Sequence, residues 1–262
     1  MRTRSRTAMF AATAALLLCG AAASAAQPVA AAAPTMAKPA KTLKILTPEQ
    51  VDPGRLLPPP PEDGSPIQKA DLAEVQRIYR TRTPERYETA KWDDAHEDSM
   101  IFARTLGPKF DLAKLPATAK LLALVENDQS VSANMAKRYF LRNRPWAIDP
   151  SIVACDYKPN AAPKTSYPSG HATLAYSVGG VLADLMPEKS QAILTRAAEY
   201  AYSREVCGAH YGSDTEASHV LGTIVAREFL ASPKVAPMLQ AAREELQAAR
   251  LTGPNAVATA SR

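Results

Sequence analysis

Hydrophobic residues recur along most of the chain three or four positions apart, which is the spacing of helices that pack on one face. The first such series runs from Leu72 to Tyr79. Few stretches alternate apolar and polar positions, so a sheet has little support. At 262 residues the chain is long enough to bury one core. We therefore predict an all-α, compact single-domain helical bundle, with helices over residues 85–105, 116–143, 170–186, 188–204, 214–230 and 234–249.

The two ends of the chain lack this periodicity. Arginines among residues 1–6, an apolar stretch over 8–23 and small residues at 24–26 follow the order of a secretory signal peptide, which we predict over 1–25. An uncleaved anchor is the alternative, but the apolar run is short for a bilayer and rich in alanine. We predict a flexible Ala/Pro-rich leader over 26–47, the helical domain over 48–250 and a disordered tail over 251–262.

Export changes the charge and the cysteine count. The formal net charge is +5, and it falls to +2 when the three arginines of the signal leave. That charge gives no support to nucleic-acid binding, and no later apolar run is long enough for a membrane span. Cys19 leaves with the signal, so Cys155 and Cys207 remain. Two cysteines in an oxidising compartment can pair or stay as buried thiols, and we predict that these two form a disulfide.

A first candidate binding segment is Lys137, followed after six residues by Arg144 and Pro145. Seven residues are close to two helical turns, so both cations face the same side if the helix persists up to the proline. Pro145 would then end the helix. On its own, such a pair is typical of a solvated helix face.

The second segment, Tyr167-Pro168-Ser169-Gly170-His171, stands at the start of a predicted helix. Small residues there allow the backbone to come close to a ligand, and the free N–H groups of a helix start suit an anion. The segment therefore indicates a phosphate cradle. Alone, it is equally typical of an ordinary helix start with Ser169 as N-cap and His171 solvated.

The third segment is Ser203-Arg204, then His210 after five residues and Asp214 after three more. An aspartate four residues after a histidine can hold one ring nitrogen and leave the other facing a substrate. A nucleophilic histidine would be held in this way. As an isolated pair, a structural hydrogen bond is the better interpretation.

The remaining polar clusters are interpreted as surface features. His96 and His219 are expected to be surface or satisfied histidines, and Asp93, Asp94 and Glu97 to form a solvated helix face. The chain has no His-Glu-x-x-His motif and no paired Cys-x-x-Cys motifs. We therefore expect no metal and no cofactor.

Taken together, the three segments resemble the K-x6-R-P, P-S-G-H and S-R-x5-H-x3-D motifs of the type 2 phosphatidic acid phosphatase superfamily. Within that superfamily, segments 57–65 and 207–214 are similar to the bacterial class A non-specific acid phosphatases. The resemblance extends from roughly residue 50 to residue 235. It implies the helical fold that these phosphatases share with vanadium-dependent haloperoxidases.

The resemblance also implies a role for each motif residue. His210 is expected to attack phosphorus while Asp214 orients it, and His171 to protonate the leaving alcohol and later help to activate water. Three fixed cations can stabilise the charge on the transferred phosphoryl group without a metal. The residues expected to bind the phosphoryl oxygens are Lys137, Arg144, Ser169, Gly170 and Arg204.

These expectations describe an exported, periplasmic acid phosphatase that releases inorganic phosphate from small phosphomonoesters with broad specificity. The resemblance also implies a homo-oligomer. Three alternatives stay open. A vanadium-dependent haloperoxidase would generally be much longer, a membrane lipid phosphatase would carry several transmembrane helices, and an exported phosphate-binding protein would show no turnover. A halide oxidation assay separates the first alternative, and a panel of phosphomonoesters separates the third.

Overall fold

The computed structural model describes residues 41–155, 157–158 and 160–253. This part of the chain folds into helices and contains no strand, which confirms the all-α prediction. Three short 3-10 helices span Pro48–Val51, Ser99–Phe102 and Pro187–Lys189. The α-helices are α1 (Pro53–Leu56), α2 (Pro66–Thr81), α3 (Pro84–Ala95), α4 (Ala103–Leu106), α5 (Pro116–Phe140), α6 (Pro145–Ile148), α7 (Gly170–Leu185), α8 (Ser190–Val206), α9 (Gly212–Ala231) and α10 (Ala236–Ala248).

Short side chains and prolines set where the early helices begin. The Ser65 hydroxyl accepts from the backbone N–H three residues later at 3.2 Å, and Thr83 does the same for α3 at 3.2 Å. A proline follows each cap, where its missing N–H has no cost. The single helix predicted over 85–105 is wrong, because α3 ends at Ala95. Asp98 then accepts from the N–H of Met100 at 2.8 Å and starts a new turn.

Helix α7 lies at the centre and contacts α5, α8 and α9. Its approach to α9 is close: a Cβ on Gly180 would lie 2.8 Å from the Cβ of Ala226, and one on Gly222 would lie 2.7 Å from the Cβ of Tyr176. Only glycine leaves room for this contact. Each of the two helices begins within a few residues of a predicted motif, so their packing fixes the second motif against the third.

The end of the predicted leader belongs to the core. The N–H groups of residues 44–46 all donate to the carboxylate of Asp128 at 2.8 Å, and Ile45 and Leu46 are buried. The prediction that the leader runs to residue 47 without joining the core is therefore wrong at its end. Leu251 is buried too, so the predicted tail does not begin at that residue. The signal peptide predicted over 1–25 lies outside the described residues.

None of the described helices combines the length and hydrophobicity needed to cross a bilayer.

Candidate active site

The predicted motif residues meet at a cavity of about 240 Å³. Behind its surface lie three further motif residues that are fully buried, Ser169, Arg204 and Asp214. The cavity thus brings the three sequence segments together. Its lining residues are Glu97, Ser130, Ala133, Asn134, Lys137, Arg144, Gly170, His171 and His210.

A second cavity, of about 290 Å³, lies beside α3, α4 and α8. Trp92, Arg104 and Arg196 are in its lining, which includes no histidine or cysteine among the described residues. The larger cavity therefore offers no nucleophile of the kind that the motifs supply. Nor does the described part of the chain contain three or more His, Cys, Asp or Glu side chains grouped to hold a metal ion.

The first segment reaches the cavity in a different way from the one predicted. Helix α5 ends at Phe140, and Leu141 adopts a left-handed conformation with φ 52°, so the helix does not persist to Pro145. Arg144 is instead an extended residue that precedes α6. The two cations converge because both bind Thr165: Lys137 Nζ donates to its carbonyl at 2.5 Å, and Arg144 Nε donates to its hydroxyl at 3.2 Å.

Burial and the neighbouring positive charge of Arg144 make Lys137 easier to deprotonate. Desolvation, followed by the positive charge of Arg144, lowers the pKa of Lys137 to about 7. A bound phosphate would reverse the second effect, because its negative charge favours the protonated amine. Before an anion binds, the lysine therefore titrates near neutral pH.

The second segment forms the start of α7. Ser169 is its N-cap, and the Ser169 hydroxyl accepts from the N–H of Ala172 at 3.3 Å, as the simpler interpretation of this segment expected. The Ser169 carbonyl accepts from the Ser218 hydroxyl of α9 at 3.0 Å. Gly170 then brings the first turn of α7 to the cavity. The segment is therefore both an ordinary capped helix start and a wall of the cavity, so the two interpretations of it do not exclude each other.

His171 is held by the backbone of α3. Its Nε2 lies 3.1 Å from the carbonyl oxygen of Asp94. A carbonyl only accepts, so Nε2 carries a proton and Nδ1 is the free nitrogen. Nδ1 lies 3.6 Å from a carboxylate oxygen of Glu97. Burial, reinforced by the charge of Arg204, holds the pKa of His171 well below its usual value.

His210 stands in the turn between α8 and α9. Gly208 makes that turn with φ 70°, a conformation that residues with a side chain rarely adopt. Nδ1 of His210 lies 3.3 Å from Oδ2 of Asp214, so this nitrogen carries the proton and Nε2 keeps its lone pair. Burial, followed by the charge of Arg144, places the pKa of His210 well below its usual value. The ring is therefore neutral, and the Nε2 lone pair is not taken up by Asp214.

Sequence reasoning missed the residues that hold Asp214. Arg142 Nη1 donates to Asp214 Oδ1 at 2.6 Å, and Arg142 Nη2 donates to Asp71 at 2.8 Å. The Ser166 hydroxyl and the N–H of Tyr211 donate to Oδ2 at 2.5 and 3.0 Å. These donors come from separate parts of the chain and follow no common spacing. The one sequence signal is a second arginine two residues before Arg144.

The interpretation of Asp93, Asp94 and Glu97 as a solvated helix face is wrong. Asp93 is buried and pairs with Arg196 at 2.5 Å, and Asp94 pairs with the buried Arg204 at 2.5 Å. Glu97 lies in the cavity lining. The aspartates face inward because α3 packs on α8, which supplies both arginines.

The predicted disulfide is present. Cys155 and Cys207 are bonded, and the N–H of Cys155 also donates to the carbonyl of Cys207 at 3.2 Å. The bond ties the loop after α6 to the turn that carries His210. His219 is half-exposed, as expected, with 52% of its side chain accessible.

The chain is similar in sequence to known proteins. The family model described as PAP2 superfamily matches residues 118–236. The chain is 32% identical over 204 residues to a protein named acid phosphatase from Zymomonas mobilis, covering 76% of this chain and 77% of that one. It is 30% identical over 203 residues to a non-specific acid phosphatase from Providencia stuartii, covering 75% and 82%.

A similar match is found with the non-specific acid phosphatase of Salmonella typhimurium, at 29% identity over 203 residues, covering 76% of this chain and 81% of that one. Among solved structures, the crystal structure of a transmembrane PAP2 type phosphatidylglycerolphosphate phosphatase from Bacillus subtilis superposes with a TM-score of 0.46. It is 18% identical and covers 64% of this chain and 86% of that one.

Proposed function

The chain belongs to the acid phosphatases of the PAP2 superfamily, and we propose that it hydrolyses small phosphomonoesters with broad specificity through a phosphohistidine on His210, without a metal ion. The observation that carries the proposal is the neutral His210 ring beside Lys137 and Arg144 at one cavity. Phosphoryl transfer requires a nucleophile that attacks phosphorus and, beside it, cations that bind the phosphoryl oxygens.

Substrate binding would begin with the cations. Lys137 and Arg144 line the cavity, and Arg204 lies directly behind it. Arginine binds phosphate oxygens with two parallel donors, and lysine adds a point charge. Because all three are held by protein contacts before substrate arrives, little reorganisation is needed as charge develops on the phosphoryl oxygens.

In the first chemical step, the lone pair on Nε2 of His210 forms a bond to phosphorus as the ester P–O bond breaks. Asp214 stabilises the positive charge that develops on the ring. His171 gives the proton on Nδ1 to the leaving oxygen, so the alcohol departs neutral. In the second step water attacks the phosphohistidine, His171 takes a proton from that water, and His210 and inorganic phosphate are released.

His171 must gain a proton before it can act as an acid, because before substrate binds its pKa is well below its usual value. A phosphomonoester supplies what is missing. Its second ionisation has a pKa of about 6, so in acid solution it arrives as a monoanion with a proton to share. Its negative charge also offsets the nearby arginine charge. Activity that is highest from acidic to near neutral pH follows.

Trapping the phosphoenzyme tests the proposal. The protein is mixed with a ³²P-labelled phosphomonoester and quenched, and we expect label that is stable in base and released by acid. His210→Ala should carry no label and show no turnover. His219→Ala is the matched control, because His219 is exposed and away from the cavity, and it should label normally. Label on His210→Ala, or none on the unaltered protein, would contradict the proposal.

The proposal also includes export by the signal predicted over 1–25 and assembly into a homo-oligomer. N-terminal sequencing of protein recovered from the periplasm tests the first, and light scattering on a sizing column tests the second.

A further inference from the structure

One side of the cavity is formed by residues that lie outside the three motifs. We call Glu97, Ser130 and Asn134 the polar wall. Ser130 and Asn134 precede Lys137 on α5 by seven and three residues, so they share its helix face. Glu97 follows α3, and half of its side chain is exposed. The polar wall offers a carboxylate, a hydroxyl and an amide to the occupant of the cavity.

The two histidines determine which part of a substrate meets the polar wall. His210 attacks phosphorus, and the leaving oxygen lies in line on the opposite side. The acid must reach that oxygen. Because Nε2 of His171 is bonded to the Asp94 carbonyl, the proton leaves from Nδ1, which is 3.6 Å from Glu97. In this geometry the first carbon atoms of the alcohol would lie beside the Glu97 carboxylate.

The cavity lining carries charges of both signs. Among the described lining residues, Glu97 is the one carboxylate, and Lys137 and Arg144 are the cations. In the proposed binding mode the cations hold the phosphoryl oxygens, so Glu97 is the charged lining residue left for the alcohol part of the substrate. A carboxylate a few ångströms from a substrate charge at a partly exposed site changes binding by about threefold to tenfold. The sign depends on the charge of the substrate group.

We propose that Glu97 is a specificity-determining residue that favours phosphomonoesters of alcohols bearing an ammonium group and disfavours those bearing a second anionic group. Esters whose alcohol carries only hydroxyl groups fall between the two, and Ser130 and Asn134 supply their hydrogen bonds. The inference rests on the proposed function, because it requires His171 to protonate the leaving oxygen.

Three two-carbon substrates of similar size test the inference: O-phosphoethanolamine, 2-hydroxyethyl phosphate and phosphoglycolate. They carry an ammonium, a hydroxyl and a carboxylate at the same position. The assay measures kcat/KM for each by phosphate release at pH 7. Burial raises the pKa of Glu97, so the assay is run at pH 7 rather than in acid, where protonation would remove the charge that is being tested. The quantity compared is the ratio of kcat/KM for phosphoethanolamine to that for phosphoglycolate.

We expect Glu97→Gln, which keeps the shape and removes the charge, to lower this ratio about tenfold, because two opposite effects of about threefold each are lost. Glu97→Lys should invert the preference. Glu88→Gln is the control, since Glu88 is an exposed residue of α3 outside the cavity lining. Its ratio should equal that of the unaltered protein.

The outcomes separate this inference from the function on which it rests. If the unaltered protein hydrolyses these esters but Glu97→Gln and Glu97→Lys leave the ratio within twofold, the role of Glu97 is refuted and the phosphatase proposal stands. If the unaltered protein hydrolyses neither the three esters nor p-nitrophenyl phosphate, the proposed function fails, and this inference fails with it.

Discussion

Replacing Arg142 by methionine removes the cation from a buried ion-pair network. The Arg142 side chain is 1% exposed, and it pairs with Asp71 at 2.8 Å and with Asp214 at 2.6 Å. Asp214 is fully buried, so it has little access to water that could replace the lost partner. The variant leaves two carboxylates on different helices without their shared cation.

The expected loss of stability follows from that burial. Removing one partner of a buried ion pair costs about 3 to 5 kcal/mol, because the other charge stays desolvated. An exposed pair contributes only about 0 to 1 kcal/mol. Arg243 and Asp184 form such a pair at 2.9 Å, with 40% and 44% of their side chains exposed. Arg243→Met is therefore the matched control.

Urea unfolding followed by circular dichroism measures both losses, and kcat for p-nitrophenyl phosphate is measured where both variants are folded. Arg142→Met should unfold at a lower free energy and lose kcat, since Asp214 no longer holds His210 firmly. Arg243→Met should lose less than about 1 kcal/mol and keep its kcat. Equal losses of unfolding free energy in the two variants, or an unchanged kcat in folded Arg142→Met, would refute the reasoning.

The remaining predictions concern the reaction and the disulfide. His171→Ala should lose about 100-fold to 10,000-fold in rate on alkyl phosphates and far less on p-nitrophenyl phosphate, whose leaving group needs no proton; equal losses on both would remove its acid role. Activity should survive EDTA and be inhibited by vanadate, because Lys137 and the arginines supply the positive charge; a loss that divalent metal restores would contradict this. The pKa of Lys137 is lowered to about 7, so kcat/KM should fall as pH rises through that value, and Lys137→Arg should lose this alkaline limb; an unchanged pH profile would count against it. Mass spectrometry of unreduced, alkylated protein should find neither Cys155 nor Cys207 free, and two alkylated cysteines would exclude the bond in solution.

The sequence predicted best what depends on local spacing. His210 lies just before α9 and Asp214 lies in its first turn, so their closeness in sequence alone leads one to expect their contact. Ser169 as the cap of α7 is equally local. Long helices with an apolar face were placed to within a few residues, as α8 and α9 show. In each case the information lies in neighbouring residues.

What the sequence did not predict depends on contacts between distant residues. Arg142 binds Asp71 across 71 positions of sequence, and Asp94 binds Arg204 across 110. Neither pair follows a spacing rule, because each forms only when separate helices pack together. The same applies to the leader, where Asp128 holds a segment that lacks periodicity. The end of α5 was misplaced because Leu141, a residue with no turn preference, adopts the left-handed conformation.

The glycine contact between α7 and α9 determines which parts of this enzyme can diversify independently. His171 and His210 are attached to helices whose backbones touch, and a single added methyl at Gly222 would meet the backbone oxygen of Thr173 at 2.9 Å. Inherited changes at that contact disturb both histidines at once. The polar wall belongs to other elements, the segment after α3 and one face of α5. With the proposed role of Glu97, substrate preference can therefore be changed through the polar wall without disturbing the contact between α7 and α9.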